Sequence, residues 1–326
     1  MTRRLLHVLV ALVWAVPASA GAGADAPGID GSLDVVETHR VSPHRHVYAL
    51  AFNGEDGVAV GALGTLLISD DGGQSWNDRS RRSELSLLAV SIAGDGYLAV
   101  GQMGLVIRGN GNDWQEVDSG SDERLFGVAR DSQGLAFAVG AFGTVLRSSD
   151  GGTSWESLEI DWMALAEDLG FDPHIYDVHI DEAQRITLVG EFGMIIRSTD
   201  LGESWETLNT GDASLFSLLV NGAVTYAVGQ DGVVLRSDDD GGSWERLDTP
   251  VTANLMGIAV SADGRRLVAP GMRSVLYSAD SGRTWQEIVT REFGRGWYVD
   301  AVWSERSGGF LVVGHGGRMQ RISDRH

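Results

Sequence analysis

Ala138-Val139-Gly140-Ala141-Phe142-Gly143-Thr144-Val145-Leu146-Arg147-Ser148-Ser149-Asp150-Gly151-Gly152-Thr153-Ser154-Trp155 is the unit on which this chain is built. An apolar strand ends at Gly140, and Gly140 and Gly143 frame a tight turn of the kind that needs positive φ. A second short strand carries Arg147 and runs into a Ser-x-Asp-x-Gly-x-(Ser/Thr)-Trp close, hereafter the Asp box. The box returns at Ser69 to Trp76, Ser198 to Trp205, Ser237 to Trp244 and Ser278 to Trp285, and a degenerate copy ends at Trp114. The six tryptophans stand 38, 41, 50, 39 and 41 residues apart. A period near forty with about four short strands per unit is that of a propeller blade.

Seven innermost strands can be located: Val47 to Leu50, Leu87 to Val90, Leu125 to Val128, Ile175 to Val178, Leu215 to Leu218, Leu255 to Ile258 and Tyr298 to Ala301. The third place in each is small or Asp, as a crowded channel wall requires. The sixth turn departs from the frame, with Ser274 in place of the second glycine. The expected fold is therefore an all-β, seven-bladed propeller of four-stranded antiparallel blades over residues 32–326. After the last turn the C-terminus has room for one strand, so Leu33 to Thr38 is expected to supply the missing outer strand of blade seven and close the ring. The 50-residue spacing points to an insert, Asp161 to Pro173. There Asp161 is expected to cap a short helix through Trp162-Met163-Ala164-Leu165 that ends at Gly170.

Residues 1–20 read as a signal peptide. Arg3 and Arg4 precede an apolar run from Leu5 to Val16, and Ala18-Ser19-Ala20 gives the small-residue cleavage pattern. Residues 21–31 are expected to be a flexible mature N-terminus. The expected location is periplasmic or thylakoid-lumen-like, with secretion as the second choice. With no Cys there is neither a disulfide nor a lipid-bearing cysteine. The formal charge of -20 argues against general binding to nucleic acid or anionic lipid. All 25 basic residues are Arg, which excludes Schiff-base chemistry.

The box residues Asp71, Trp76, Asp150, Trp155, Asp200, Trp205, Asp239, Trp244, Asp280 and Trp285 are read as structural. A carboxylate repeated around a ring accepts turn N–H groups and is not a single active site. Arg108, Arg147, Arg197, Arg236 and Arg321 share one repeated place before the box and are expected to pair with acidic neighbours between blades. The histidines have no metal-ligand spacing, and Asp177 with His179 is read as inward polar groups in a wet channel. Neither a cofactor nor a metal is expected, and no catalytic set is assigned.

The box joined to the Gly-x-x-Gly-strand-Arg-Ser frame resembles two families. One is the sialidases and related glycosidases, which need an arginine triad, a Tyr–Glu pair, an acid/base Asp and an Arg-Ile-Pro opening. Here His39-Arg40-Val41-Ser42-Pro43 stands instead of that opening. The other is the photosystem II stability/assembly factor family with its BNR-repeat and YVTN-like relatives, whose phrase is matched nearly verbatim by Ala138 to Trp155. That resemblance implies a noncatalytic scaffold that docks on a membrane-protein or envelope partner from the periplasmic or lumenal side, and the chain is expected to be monomeric and not itself to span the membrane. The runner-up is a glycoside hydrolase or carbohydrate-binding propeller.

The face opposite the Asp boxes is expected to carry the work. Its basic residues gather in the sector of blades six, seven and one: Arg273, Arg291, Arg295, His315, His44, Arg45, His46, Arg79, Arg81 and Arg82, beside Phe293 and Trp297. A docking site for an acidic partner is expected there, made by Arg45, Arg79, Arg81, Arg82, Arg273, Arg291, Arg295, His315 and Trp297. Across the ring the loops hold Asp118, Asp122, Glu123, Glu159, Asp161, Glu191, Asp212 and Asp231.

Overall fold

The strand-turn-strand-box unit folds as read. The computed structural model describes residues 32–325, apart from 43, 81–82, 95, 112 and 166–169. Among the described residues the chain forms seven four-stranded antiparallel sheets whose innermost strands contact one another around a ring. The signal peptide and the 21–31 segment lie outside the described residues. Blade one is typical, with strands Val47–Asn53, Asp56–Gly61, Leu66–Ser69 and Asn77–Asp78 running from the channel outward. Blade six departs again: its innermost strand is reduced to Ala259–Val260, and the expected Leu255 segment makes only an isolated bridge to Gly271.

Ring closure follows the expectation. The N-terminal strand Leu33–Arg40 pairs antiparallel with Arg318–Asp324 as the outer strand of blade seven, with Val35 opposite Ile322. The first and last strands thereby cover each other's edges.

The core lies between the blades. Seven clusters of buried side chains fill the seven blade-to-blade interfaces. The second strand of a blade is walled on both sides by neighbouring blades, which is why Ala136–Gly140 and Ile186–Gly190 are buried along their whole length and read as apolar runs. Trp76, Trp155, Trp205, Trp244 and Trp285 each pack into the cluster shared with the preceding blade.

The turn glycines have two different reasons. Gly61 has an extended φ of -177°, yet a Cβ there would stand 1.9 Å from the His46 carbonyl oxygen. The first glycine of the frame is therefore required by close backbone approach, and Gly101, Gly229 and Gly314 repeat the clash. Positive φ belongs instead to the second glycine and to the residue before it, including Leu63, Met103, Phe142, Phe192, Asp231 and Arg273.

Each box is a closed hydrogen-bond circuit. Asp150 Oδ1 accepts from Ser148 Oγ at 2.8 Å and from the Ser154 N–H at 2.9 Å, and Oδ2 accepts from Ser154 Oγ at 2.7 Å. The Ser154 hydroxyl and amide hold the Asp150 carboxyl at about 2, well below its ordinary value. Asp200 and Asp239 repeat the circuit and the shift.

Donors from one blade latch the next blade's box. The carbonyl following the box Asp accepts from Arg108 at Gly151, from Arg147 at Leu201, from Arg197 at Asp240, from the Tyr226 hydroxyl at Ser281 and from Ser304 Oγ at Gly72. The repeated arginines thus bridge blades mainly through carbonyls. Acidic partners across the interface are added at Arg147, to Glu203, and at Arg197, to Asp240. Arg236 pairs within its own blade with Asp238, because Tyr226 has taken its carbonyl, and Arg321 forms no ion pair among the described residues.

Candidate partner-binding site

The turns between second and third strands lie against the loops that enter the next blade. The Gly64 N–H donates to the Leu85 carbonyl, Gly104 to Glu123, Gly143 to Pro173 and Arg273 to Gly296. The boxes lie against the opposite turns, with Gly72 donating to Glu55 and Gly151 to Gly134. The two faces divide as the repeat predicts.

The insert is part of the first face. Asp161 Oδ1 accepts the Ala164 N–H at 3.1 Å, capping the helix Trp162–Leu165. Trp162 is buried against the turn of blade three, where a Cβ on Gly143 would stand 2.3 Å from Nε1 of the indole.

On the basic sector the expected residues divide. Arg273, Arg291 and Arg295 are exposed and form no ion pair among the described residues. The chain brings Arg273 to Trp297, since Met272 bridges to Trp297 and the Arg273 N–H donates to the Gly296 carbonyl at 2.9 Å, while Arg291 and Arg295 precede Trp297 in the same loop. Trp297 stacks on Tyr48 at 5.8 Å between ring centroids and lies edge-on to His315 at 5.6 Å. His46, not among the expected binding residues, completes the cluster. It stacks on His315 at 5.4 Å, and its Nδ1 accepts the Gly316 N–H at 3.0 Å. Burial, followed by repulsion from His315 and His44, lowers its pKa.

Arg45 is committed elsewhere. Its guanidinium pairs with Asp78 at 2.8 Å and also bonds Thr65 and Ser80, so it ties the entry to blade one to that blade's outer strand. Asp78 is held at about 2, with Arg45 and Ser80 as donors outweighing the burial that would raise it. Arg79 has a partner of its own, and Arg81 and Arg82 lie outside the described residues. Phe293 is buried against Tyr298 and is a core residue of the sector.

Two channel carboxylates serve as staples. Asp177 accepts the Val178 N–H of its own strand and the Leu218 N–H of the next blade, at 2.8 and 2.9 Å. Asp300 does the same with Ala301 and, across the closure, Leu50, at 2.8 and 2.9 Å. Both side chains are enclosed although their residues line the channel, and desolvation raises them to about 6 and about 7. Their oxygens are occupied by amides, which accounts for Asp177, one of the two residues (with His179) that the sequence placed in the channel.

Sequence reasoning missed the residue at second place in the innermost strand. A register shift at that place recurs in six blades, for example between Val47 and Ala49 and between Ile175 and Asp177. It re-aims Tyr48, Phe126, Tyr176 and Phe216, and neighbouring rings then meet at 5.4 Å (Phe126 and Tyr176) and 5.0 Å (Tyr176 and Phe216). Alternating apolar and small residues were legible, but a bulge has no composition signal here.

The fold and repeats define a class, the seven-bladed Asp-box propellers. Within it, the chain is similar to the photosystem II assembly factor-like proteins. The family described as "Photosynthesis system II assembly factor YCF48" matches residues 161–251. Photosystem II assembly lipoprotein Ycf48 of Synechococcus sp. strain RCC307 is 36% identical over 118 residues, covering 32% of this chain and 34% of that protein. Its counterpart in strain CC9902 is 32% identical over 125 residues, covering 35% and 36%. The chain thus spans about a third of the length of the curated relatives it matches. A solved structure of YCF48 bound to D1 peptide superposes with a TM-score of 0.70 at 17% identity, covering 92% of this chain and 99% of that one.

Proposed function

We propose that this protein is a noncatalytic assembly scaffold that docks, from the periplasmic or lumenal side of a membrane, on an acidic segment of a membrane-protein or envelope partner. The observation that carries the reading is the set of exposed Arg273, Arg291 and Arg295, which form no ion pair among the described residues, in loops that meet at Trp297 beside His315, on a chain of formal charge -20. In so acidic a protein, unpaired guanidiniums beside an indole offer bidentate and stacking contacts to carboxylates and steer them by field. Arg79, Arg81 and Arg82 are kept in the proposed site on their place in the repeat alone, Arg81 and Arg82 lying outside the described residues. Arg45 supports it from beneath by fixing the first entry loop.

A relative solved with a D1 peptide supports a partner recognised through a peptide segment. Among the described residues no helix is long and apolar enough to cross a membrane. The noncatalytic part of the reading is supported by the state of the candidate groups. Asp177 and Asp300 are occupied by amides, and burial pushes the Tyr176 and Tyr298 phenols up to about 12, the wrong direction for nucleophiles.

Reversing Arg273, Arg291 and Arg295 to Glu tests the site. The triple variant should keep its melting temperature and lose capture of a labelled Asp/Glu-rich peptide, and wild-type capture should weaken as salt rises. Capture by the variant equal to wild type would place the site elsewhere.

A further inference from the structure

Four consecutive blades present a bulky apolar side chain to solvent at one repeated position. Leu63, Met103, Phe142 and Phe192 precede the second glycine of their turns, with relative exposures of 48%, 63%, 65% and 38%. Their φ angles are 55°, 56°, 51° and 57°, the left-handed region that suits Gly or Asn and strains other side chains. Neither burial nor backbone preference accounts for these residues. Blades five, six and seven place Asp231, Arg273 and Gly316 there instead, so the repeat itself does not demand an apolar group. Two of the tips are also braced: Phe142 lies edge-on to His174 at 5.0 Å, and Phe192 edge-on to Phe171 at 5.7 Å. Anchors held in place lose little freedom on binding.

The adjoining loops set the charge of the partner. Asp118, Asp122, Glu123, Asp212 and Asp231 are exposed and form no ion pair among the described residues. They stand beside the tips, since the Gly104 N–H donates to the Glu123 carbonyl and the Gly211 N–H to the Phe192 carbonyl. We propose that these four tips form a second docking surface, running from the blade-one edge of the basic sector away from it to blade four, for a polypeptide segment in which Arg or Lys is interleaved with apolar side chains. An arc spread over four blades suits an elongated segment better than a compact ligand. A second copy meeting arc to arc would set acidic loops against acidic loops, and an anionic bilayer would meet the same repulsion.

The full-length protein is titrated with two fluorescent synthetic peptides, one alternating Leu and Arg, the other alternating Leu and Glu. The Leu/Arg peptide should bind at least about tenfold more tightly. The variant Leu63→Asn, Met103→Asn, Phe142→Asn, Phe192→Asn leaves every charge in place, and Asn tolerates the left-handed backbone. It should melt with wild type, lose about tenfold in Leu/Arg affinity and still capture the acidic peptide of the basic sector. If the quadruple variant folds poorly, Phe142→Asn and Phe192→Asn singly should each weaken binding. Equal affinity for both peptides, undiminished binding by the Asn variants, Phe142-dependent uptake by zwitterionic vesicles, or a dimer that these variants disperse would each overturn the proposal.

Discussion

Arg147 Nη1 donates to the Leu201 carbonyl at 2.7 Å, joining the third strand of blade three to the Asp box of blade four. The same guanidinium holds Glu156 through Nε at 2.8 Å and Glu203 at 2.7 Å, with its side chain only 18% exposed. Planar donors aimed at three acceptors fix the angle between blades, a task a point charge does not perform. Arg147→Ala should therefore cost about 1–3 kcal/mol, and Arg147→Lys should recover only part of it. Arg306→Ala, which removes an exposed pair with Glu55, should cost less than about 0.5 kcal/mol. Urea midpoints of the three variants check the ranking.

Removing residues 21–41 should open the ring. The deletion strips the strand Leu33–Arg40 from Arg318–Asp324 and uncovers Ile322 and Met319, both fully buried. Several burials of about 1.5–3 kcal/mol each are large against a total stability of about 5–15. A thermal melt of the truncated protein should fall well below that of the chain that keeps residues 21–41. An unchanged melt would show that the closing strand contributes little.

Stability should respond to pH in two opposite directions. Asp177 and Asp300 have folded values of about 6 and about 7, above those of the unfolded chain. Their favourable contribution is complete below the unfolded value near 3.8 and is lost as pH rises through 6 to 7. Asp150, Asp200 and Asp239 are depressed to about 2, so their contribution is present above about 4 and lost as pH falls toward 2. The double variant Asp177→Asn, Asp300→Asn should flatten the fall in stability between pH 4 and 7 while leaving the acid limb unchanged. Denaturant titrations across that range read both limbs.

Sialosides and aryl glycosides should not be turned over. At the Asp boxes, Ser and backbone donors hold the acids ionised and closed into turns. A fluorogenic substrate assay checks this. Hydrolysis abolished by substituting Glu or Tyr would overturn the noncatalytic reading.

Much of the candidate site was visible only in outline. Arg273, Arg291, Arg295, His315 and Trp297 could be assigned to one sector because the repeat fixes which turn and loop each belongs to. Arg45 could not be separated from them, since its bond to Asp78 joins residues 33 apart through the folded blade. His46 and Tyr48 were missed as partners of Trp297, because that contact exists only once blade seven has closed against blade one. The exposed tips had a faint signal: a bulky apolar residue inside a Gly-x-x-Gly turn, as at Phe142 and Phe192.

The amino-acid sequence by itself determined the blades, their number and the strand that closes them. Each blade is specified within about forty residues by local chemistry: apolar alternation, glycine turns and a box whose Asp needs only neighbours four residues away. Tertiary structure alone decided which polar groups are spent and which are free. Arg147 reaches Leu201, Asp300 reaches Leu50 and Ser304 reaches Gly72 only because the ring sets neighbouring blades face to face. A guanidinium or carboxylate reads the same in sequence whether or not it has a partner, and pairing across an interface depends on distance in space, which no local pattern encodes.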